Sequence, residues 1–174
     1  FRHGEMVLLV LDQSDGEQTA VVAMAAEYCE ADHVTFMARQ ARGLVSLALT
    51  EERCEQLNLP PMVDPATSGA VKLSIEASTG IDTGISAADR ARTVRVAVAP
   101  DAKPSDLVQP GHIFPVATLT GGVLIRTGAA EAGVDLATLA GLTPAAVFAE
   151  VLDAKGDLAN ARALVDFADK HDLT

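Results

Sequence analysis

Short apolar runs alternate along the chain with stretches of helical periodicity, and this alternation restricts the fold more than any other feature. Strands are predicted over residues 5–11, 20–24, 44–49, 70–77, 112–117, 123–126 and 145–152. Helices are predicted over residues 31–42, 50–53, 86–98, 130–141 and 158–171. No internal repeat or linker divides the sequence. It therefore predicts one three-layer domain over 1–174, of the α+β or α/β class, with a mixed β-sheet flanked by helices.

Two further predictions concern the segments outside these elements. The first four residues, Phe1-Arg2-His3-Gly4, are typical of the end of a helix with a glycine stop, so we expect a helix to precede Phe1. Longer loops are predicted at 12–19, 60–69 and 100–111. Binding residues collect in loops of this kind, which makes the three segments candidates for a site.

The charge balance excludes two classes of partner. The chain has 13 Lys and Arg against 24 Asp and Glu, for a formal net charge of −11. Nucleic acids and anionic membrane surfaces both require clustered basic residues. No apolar run reaches the roughly 18 residues of a spanning helix, and no signal peptide opens the sequence. With only Cys29 and Cys54 as cysteines, we expect a reduced cytoplasmic protein that binds neither nucleic acid nor membrane.

The clearest local candidate is the junction between a predicted strand and a predicted helix at Arg126, Thr127 and Gly128. A helix N-terminus offers free backbone N–H groups and partial positive charge, and an arginine adds a fork of donors. Together these groups suit a phosphate or a carboxylate. The alternative is an ordinary strand-to-helix turn with a surface arginine.

Two other polar positions are weaker candidates. Thr83 precedes a second junction of the same type, where Ser86 is predicted to cap the helix. His112 lies at the mouth of a predicted strand. A single histidine is more often a structural hydrogen-bonding group than a catalyst, and both interpretations stay open.

The acidic candidates occur in two places. Asp12, Asp15 and Glu17 lie in the loop after the first strand, where carboxylates can hold Mg²⁺ or can simply be solvated. Glu150 interrupts the apolar run 145–149. A buried carboxylate is costly unless it is paired or functional, although strand alternation could also turn this side chain outward.

Seven motifs follow one another along nearly the whole chain, and their order is far more specific than any single junction. They are LNLPPM at 57–62, TGISAADR at 83–90, KPSDL at 103–107, PGHIFP at 110–115, GGVL at 121–124, the segment 131–141 and DFADKH at 166–171. In this order they resemble the 3,4-dihydroxy-2-butanone 4-phosphate synthase family of riboflavin biosynthesis. The resemblance implies a lyase that converts ribulose 5-phosphate to the butanone phosphate and formate with Mg²⁺, in a homodimer.

The resemblance also assigns site residues, and the chain departs from the family at several of them. Glu17 falls on a metal-ligand glutamate and Glu150 on the catalytic glutamate. The family's second glutamate, its aspartate, its metal-binding histidine and its phosphate-holding threonine are replaced here by Thr19, Val21, Ala129 and Ala130. We therefore expect a diverged member with a degenerate metal site and without efficient native activity, in which Glu17 alone could hold a metal.

The resemblance also bears on the ligand, on the activity and on the length of one loop. A sugar phosphate or other small anion is expected at Arg126, Thr127, Gly128, Thr83 and His112. An active synthase with altered metal ligation stays open, as does a structural domain fused to a GTP cyclohydrolase II domain. The sequence is also shorter than the family pattern between residues 68 and 69.

Overall fold

One mixed sheet organises the computed structural model, which describes residues 1–12, 18–63 and 70–174. Within these residues six strands pair in the order β1-β2-β6-β3-β5-β4. Neighbouring strands are antiparallel except for the parallel pair β3–β5, which confirms the predicted mixed sheet. The strands are β1 Val7–Asp12, β2 Gln18–Ala25, β3 Ser46–Thr50, β4 Ile75–Ala77, β5 Leu107–Thr118 and β6 Ala145–Glu150. Asp15, Glu17 and the shortened segment lie outside the described residues.

Five α-helices connect the strands in the described part of the chain. They are α1 Ala31–Phe36, α2 Glu51–Gln56, α3 Ala87–Val98, α4 Ala129–Leu139 and α5 Ala161–His171. The predicted caps of α2 and α3 are confirmed, because Thr50 accepts a hydrogen bond from the N–H of Arg53 and Ser86 accepts one from that of Asp89. In the described residues no helix is both long and apolar enough to cross a membrane.

The helices cover both faces of the sheet, as the alternation along β2 shows. Val22 and Met24 belong to a core cluster that includes residues of α1, α3 and α5. Val21 and Ala23 belong to a second cluster, which includes residues of α4. Because successive strand residues point to opposite faces, the two clusters lie on opposite sides of the sheet. The predicted three-layer architecture is therefore confirmed.

The predicted strand over 123–126 is wrong, because the chain turns there. Gly122–Leu124 forms a 3₁₀ turn, and Gly121 and Gly122 have φ angles of 98° and 59°. The N–H of Val123 donates to Asp135 Oδ2 of α4 at 2.9 Å. An apolar run after two glycines in the left-handed region is thus held against a helix instead of pairing in the sheet.

The end of the first predicted helix also differs from expectation. After α1 the chain continues as a π-helical turn over Met37–Ala41, and Arg42, not Gly43, adopts the left-handed conformation, with a φ of 69°. Gly43 is needed for a different reason, since a Cβ there would lie 2.3 Å from the backbone oxygen of Glu150. The glycine thus allows this turn to pack against the end of β6.

Three other elements begin at residues that differ from the predicted ones. In the predicted strand over 70–77 only Ile75–Ala77 is a regular strand. β5 begins at Leu107, inside the predicted loop over 100–111. The last helix begins at Ala161, where the side chain of Asn160 caps it, and not at residue 158.

Candidate functional site

A cleft of about 480 Å³ opens at the end of the sheet where β3 begins and β6 ends. Arg126 and Gly128, from the turn before α4, line this cleft together with Glu150 of β6. Ser46, Phe114 and Phe148 are among the strand residues of its wall. Three residues that the sequence assigned to a site are thus brought together here.

Glu150 is one of two carboxylates that line this cleft, with Glu131 as the other. Glu150 is half-buried and pairs with Val21 across β2 and β6. It follows Phe148 by two residues, so both side chains project from the same face of the strand. The alternative that strand alternation turns Glu150 away from the domain is therefore wrong.

The guanidinium of Arg126 is partly committed to the protein itself. Its Nε donates to Glu131 Oε1 at 2.8 Å, and its second terminal nitrogen donates to the Ala117 carbonyl oxygen at 3.0 Å and contacts the same carboxylate. The side chain of Glu131 is 1 % exposed and also accepts from the N–H of Leu119. A ligand at this junction would therefore meet an arginine whose charge is already compensated.

Sequence reasoning did not assign a role to Glu131. The available signal was a carboxylate in the first turn of a helix that is otherwise largely apolar. A buried acid at such a position requires a cationic partner. Arg126, five residues earlier, is the partner that the structure supplies.

An apolar cluster lies beside Glu150, whose neighbour on β2 is Val21. Val21, Ala130 and Phe148 belong to one buried cluster, at 4 %, 6 % and 6 % exposure, and Ala129 packs against it. Within the described residues no group of three or more His, Cys, Asp or Glu side chains could hold a metal ion. Mg²⁺ is commonly held by one or two carboxylates together with waters and substrate oxygens, and the carboxylates among the described residues that line this cleft are Glu131 and Glu150.

The start of α4 keeps one feature of an anion site. Gly128 is the N-cap residue and gives the helix no side-chain hydrogen bond. Gly128, Ala129 and Ala130 all line the cleft, so the first turn of the helix, where backbone N–H groups lack intrahelical partners, lies at its wall. Thr127 lines a neighbouring cleft of about 430 Å³ formed with β1, and Gly128 borders both clefts.

Thr83 and His112 lie at the β4 side of the sheet, in a separate polar cluster. His112 Nδ1 contacts Glu76 Oε1. Gly84, which follows Thr83, has a φ of 77°, and a Cβ there would lie 1.8 Å from the same Glu76 oxygen. Glu76 therefore lies between the loop before α3 and the middle of β5.

Asp89 holds that loop from within the first turn of α3. Its carboxylate accepts from the backbone N–H groups of residues 82, 83 and 84, at 3.4, 3.2 and 3.0 Å. Burial alone would raise the pKa of this carboxyl, but the hydrogen bonds from Ser86 and from these backbone groups outweigh burial and hold the pKa below its ordinary value. Asp89 is therefore a structural anion that organises the loop.

The register of the sheet relates this polar cluster to the cleft. Ser46 of β3 pairs with Phe148 of β6 and with Phe114 of β5. Glu150 and His112 each lie two residues beyond those partners, toward the same end of the sheet. The two side chains thus share one end and one face, separated by β3 and hence by roughly 10 Å, two interstrand spacings.

A mixed sheet between helices, with a carboxylate and a helix N-terminus at one cleft, defines an α/β domain whose cleft is a candidate small-molecule site. The sequence profile of the 3,4-dihydroxy-2-butanone 4-phosphate synthase family matches residues 1–174. The chain therefore belongs to that family, and the resemblance in its sequence is confirmed.

Curated relatives agree with this assignment. A Pseudomonas syringae pv. tomato protein named 3,4-dihydroxy-2-butanone 4-phosphate synthase is 53% identical over 99% of this chain and 47% of its own length. The Aquifex aeolicus riboflavin biosynthesis protein RibBA is 49% identical over 99% of this chain and 43% of its own. The chain thus spans about half the length of these relatives.

Solved structures share the fold. The two-domain synthase RibBX from A. baumannii has a TM-score of 0.91 at 49% identity, covering 99% of this chain and 51% of that one. A synthase described in complex with two magnesium ions has a TM-score of 0.91 at 38% identity, covering 100% of this chain and 87% of that one.

Proposed function

We propose that this chain is a riboflavin-pathway domain of the synthase family that releases little or no formate from ribulose 5-phosphate. The observation that carries the proposal is the apolar cluster beside Glu150. Val21, Ala129 and Ala130 occupy the positions of an aspartate, a histidine and a threonine in the family pattern. They pack with one another instead of offering ligand atoms.

The expected size of the effect follows from metal-site chemistry. When bound, Mg²⁺ would polarise substrate oxygens. Loss of an outer partner of a metal site typically costs about 10–100-fold in affinity or activity, and loss of a direct ligand should cost at least as much. Glu150 can still hold or accept a proton in the cleft. Its neighbour on β2 is Val21, whose side chain offers no ligand atom.

A second candidate is an active synthase with altered metal ligation. It is favoured by the 53% identity to a relative that carries the synthase name. Asp12, Asp15 and Glu17 would then have to supply the ligands. Of these, Asp12 lies in the described residues, where its carboxylate accepts a hydrogen bond from the side chain of Gln18 at 2.8 Å.

A formate-release assay with ribulose 5-phosphate and Mg²⁺ separates the two candidates. We expect no appreciable formate from the unmodified protein and a gain of activity from the triple variant Thr19→Glu, Val21→Asp and Ala129→His. The matched control is Thr19→Gln, Val21→Asn and Ala129→Asn, which adds polar side chains without carboxylate or imidazole ligands. Robust formate release by the unmodified protein would overturn the first candidate and support the second.

We further propose that a sugar phosphate or another small anion binds at the start of α4. The proposal is supported by the uncapped first turn in the cleft wall and by the arginine beside it. Arg126→Ala should weaken binding of ribulose 5-phosphate in a calorimetric titration, while Arg39→Ala, which removes an exposed arginine elsewhere, should not. Unchanged affinity in the folded Arg126→Ala variant would show that this arginine is only structural. Thr127, Thr83 and His112 are proposed as further contacts.

We propose that the protein is a homodimer. Three exposed leucines support a subunit contact on one face. Leu119, Leu124 and Leu139 are 41 %, 90 % and 78 % exposed. They border one groove of about 660 Å³. Exposed apolar patches often mark such contacts, and two-fold dimers are the commonest soluble assembly. A monomer in light scattering at micromolar concentration would contradict the proposal.

We also propose that the natural protein is cytoplasmic and that a GTP cyclohydrolase II domain is fused to this one. The existence of RibBA and of a two-domain RibBX structure among the relatives supports a fusion. Sequencing the full transcript tests it. A downstream domain with a cysteine-rich zinc motif is the expected result, and an open reading frame without one would contradict it.

A further inference from the structure

The contact between His112 and Glu76 has no role in the cleft chemistry described so far. The two residues are 36 positions apart in the sequence, and Glu76 Oε1 meets His112 Nδ1. The side chain of Glu76 is 15 % exposed and that of His112 is 43 % exposed. A largely buried carboxylate thus contacts one nitrogen of a ring that reaches solvent.

The Glu76 side chain lies close against the backbone at two glycines. A Cβ on Gly84 would lie 1.8 Å from Glu76 Oε1, and a Cβ on Gly111 would lie 2.5 Å from Glu76 Cγ. The N–H of Gly111 donates to the hydroxyl of buried Ser74 at 3.1 Å, which fixes the chain just before His112. Both glycines therefore permit the close approach that places the carboxylate at Nδ1.

This placement determines which ring nitrogen of His112 carries the proton. An ionised carboxylate only accepts hydrogen bonds, so Nδ1 must donate, and in the neutral ring Nε2 is then the acceptor. His112 lies on the same strand face as Phe114, which lines the cleft with Glu150. A hydrogen-bond acceptor is thus presented on the face of the sheet that carries the cleft, about two interstrand spacings from Glu150.

We propose that Glu76 is a positioning residue that holds His112 in its Nδ1–H tautomer, so that Nε2 accepts a hydrogen bond from a hydroxyl of a polyol phosphate bound in the cleft. The identity of the ligand rests on the proposed function, whereas the tautomer does not. Failure of the formate prediction would therefore leave the positioning role of Glu76 untouched.

A second histidine supplies an internal reference with the opposite tautomer. His33 Nδ1 accepts a hydrogen bond from the backbone N–H of Glu30 at 3.0 Å. Its neutral ring must therefore carry the proton on Nε2. The two rings should give opposite ¹⁵N patterns in one spectrum of one protein.

Long-range ¹H–¹⁵N correlation spectra of the labelled protein test the proposal at a pH where the rings are neutral. We expect the Nδ1–H form for His112 and the Nε2–H form for His33. In Glu76→Gln, whose amide can serve either tautomer, the ratio of Nδ1–H to Nε2–H at His112 should fall about tenfold, since a hydrogen bond to a charged group corresponds to a factor of ten or more. His33 should not change.

Two results would overturn the positioning role: an Nε2–H tautomer at His112 in the unmodified protein, or the same tautomer ratio in Glu76→Gln. If Glu76→Gln does not fold, Glu76→Asp gives the same readout, because the shorter side chain withdraws the carboxylate from Nδ1. The ligand is tested by adding ribulose 5-phosphate without metal. A shift of the His112 Nε2 signal that inorganic phosphate does not produce supports the hydroxyl contact, and an unmoved signal under saturating sugar phosphate overturns it.

Discussion

Two regions at one end of the sheet differ in what surrounds their acidic side chains. Beside Glu150, the neighbours on β2 and α4 are Val21 and Ala130, and both are buried in an apolar cluster. Around Glu76, the neighbours are an imidazole and a loop whose N–H groups are bound by Asp89. The same fold thus keeps a polar network on one side of β3 and an apolar surface on the other.

This difference bears on the divergence from the family that we propose. The polar side adjoins the TGISAADR and PGHIFP motifs, which carry the resemblance, whereas the apolar side contains Val21, Ala129 and Ala130, the positions that we propose to be replaced. A buried polar network is stable only when every member is satisfied, so it resists single replacements. A methyl or isopropyl group that replaces a ligand fills the space and leaves no unpaired partner. The loss of metal ligands that we propose is therefore compatible with a stable domain.

The largest expected effect comes from introducing a charge on the apolar side. Val21→Asp buries a carboxylate at a position that is 4 % exposed, and burial of a polar group without partners costs roughly 3 kcal/mol. Urea unfolding should show this loss. Val10→Asp is the matched control, because Val10 is 49 % exposed on β1 and should lose less than about 1 kcal/mol. Equal losses would mean that the cluster beside Glu150 is not buried in solution.

A smaller effect is expected from crowding the polar side at Gly84. Gly84→Ala places a Cβ in the left-handed region, which costs about 1–2 kcal/mol, and also forces it against Glu76 Oε1. Gly141→Ala is the control, because Gly141 has nearly the same φ, 76° against 77°, but no atom within 4 Å of the added Cβ. Thermal unfolding should show a greater loss for Gly84→Ala. If the two variants lose the same stability, the approach of Glu76 to this loop is not rigid.

Most of the architecture could be predicted from local patterns, because alternation and capping are properties of short segments. Thr50 and Ser86 cap their helices as their spacing predicts. The run after Gly121-Gly122 misled the prediction because apolar composition was taken to mean a strand. There the backbone turns, and Leu124 is left 90 % exposed.

The site was predictable only where its residues adjoin a recognisable junction or interrupt a pattern. Arg126, Gly128 and Glu150 were found in this way, and the structure brings them to one cleft. Glu131 and Glu76 were missed because their burial depends on tertiary contacts. The 36 positions between Glu76 and His112 show that spacing along the chain carries no signal for such a pair.

The smallest expected effect concerns the free energy of unfolding at acidic pH, to which the Asp89 carboxylate contributes. Hydrogen bonds hold the pKa of this carboxyl below its ordinary value, so the unfolded chain binds more protons at moderately acidic pH. Its contribution to stability is present above about pH 4 and is lost as the pH falls through the folded-state pKa. In urea unfolding at a series of acidic pH values, Asp89→Asn should flatten this decline.

Asp153 provides a control, because it separates the effect of losing a titrating carboxylate from the effect of disturbing the polar cluster around His112. Its carboxylate accepts from the backbone N–H groups of Lys155 and Asp157, and these bonds lower its pKa as well, but it lies in an exposed turn far along the chain. Asp153→Asn should also flatten the acid decline. Only Asp89→Asn should in addition move the His112 ring signals, because Asp89 holds the N–H of Gly84 and Gly84 packs against Glu76. His112 signals that are unmoved in Asp89→Asn would show that the loop before α3 does not depend on Asp89 to position the Glu76 carboxylate.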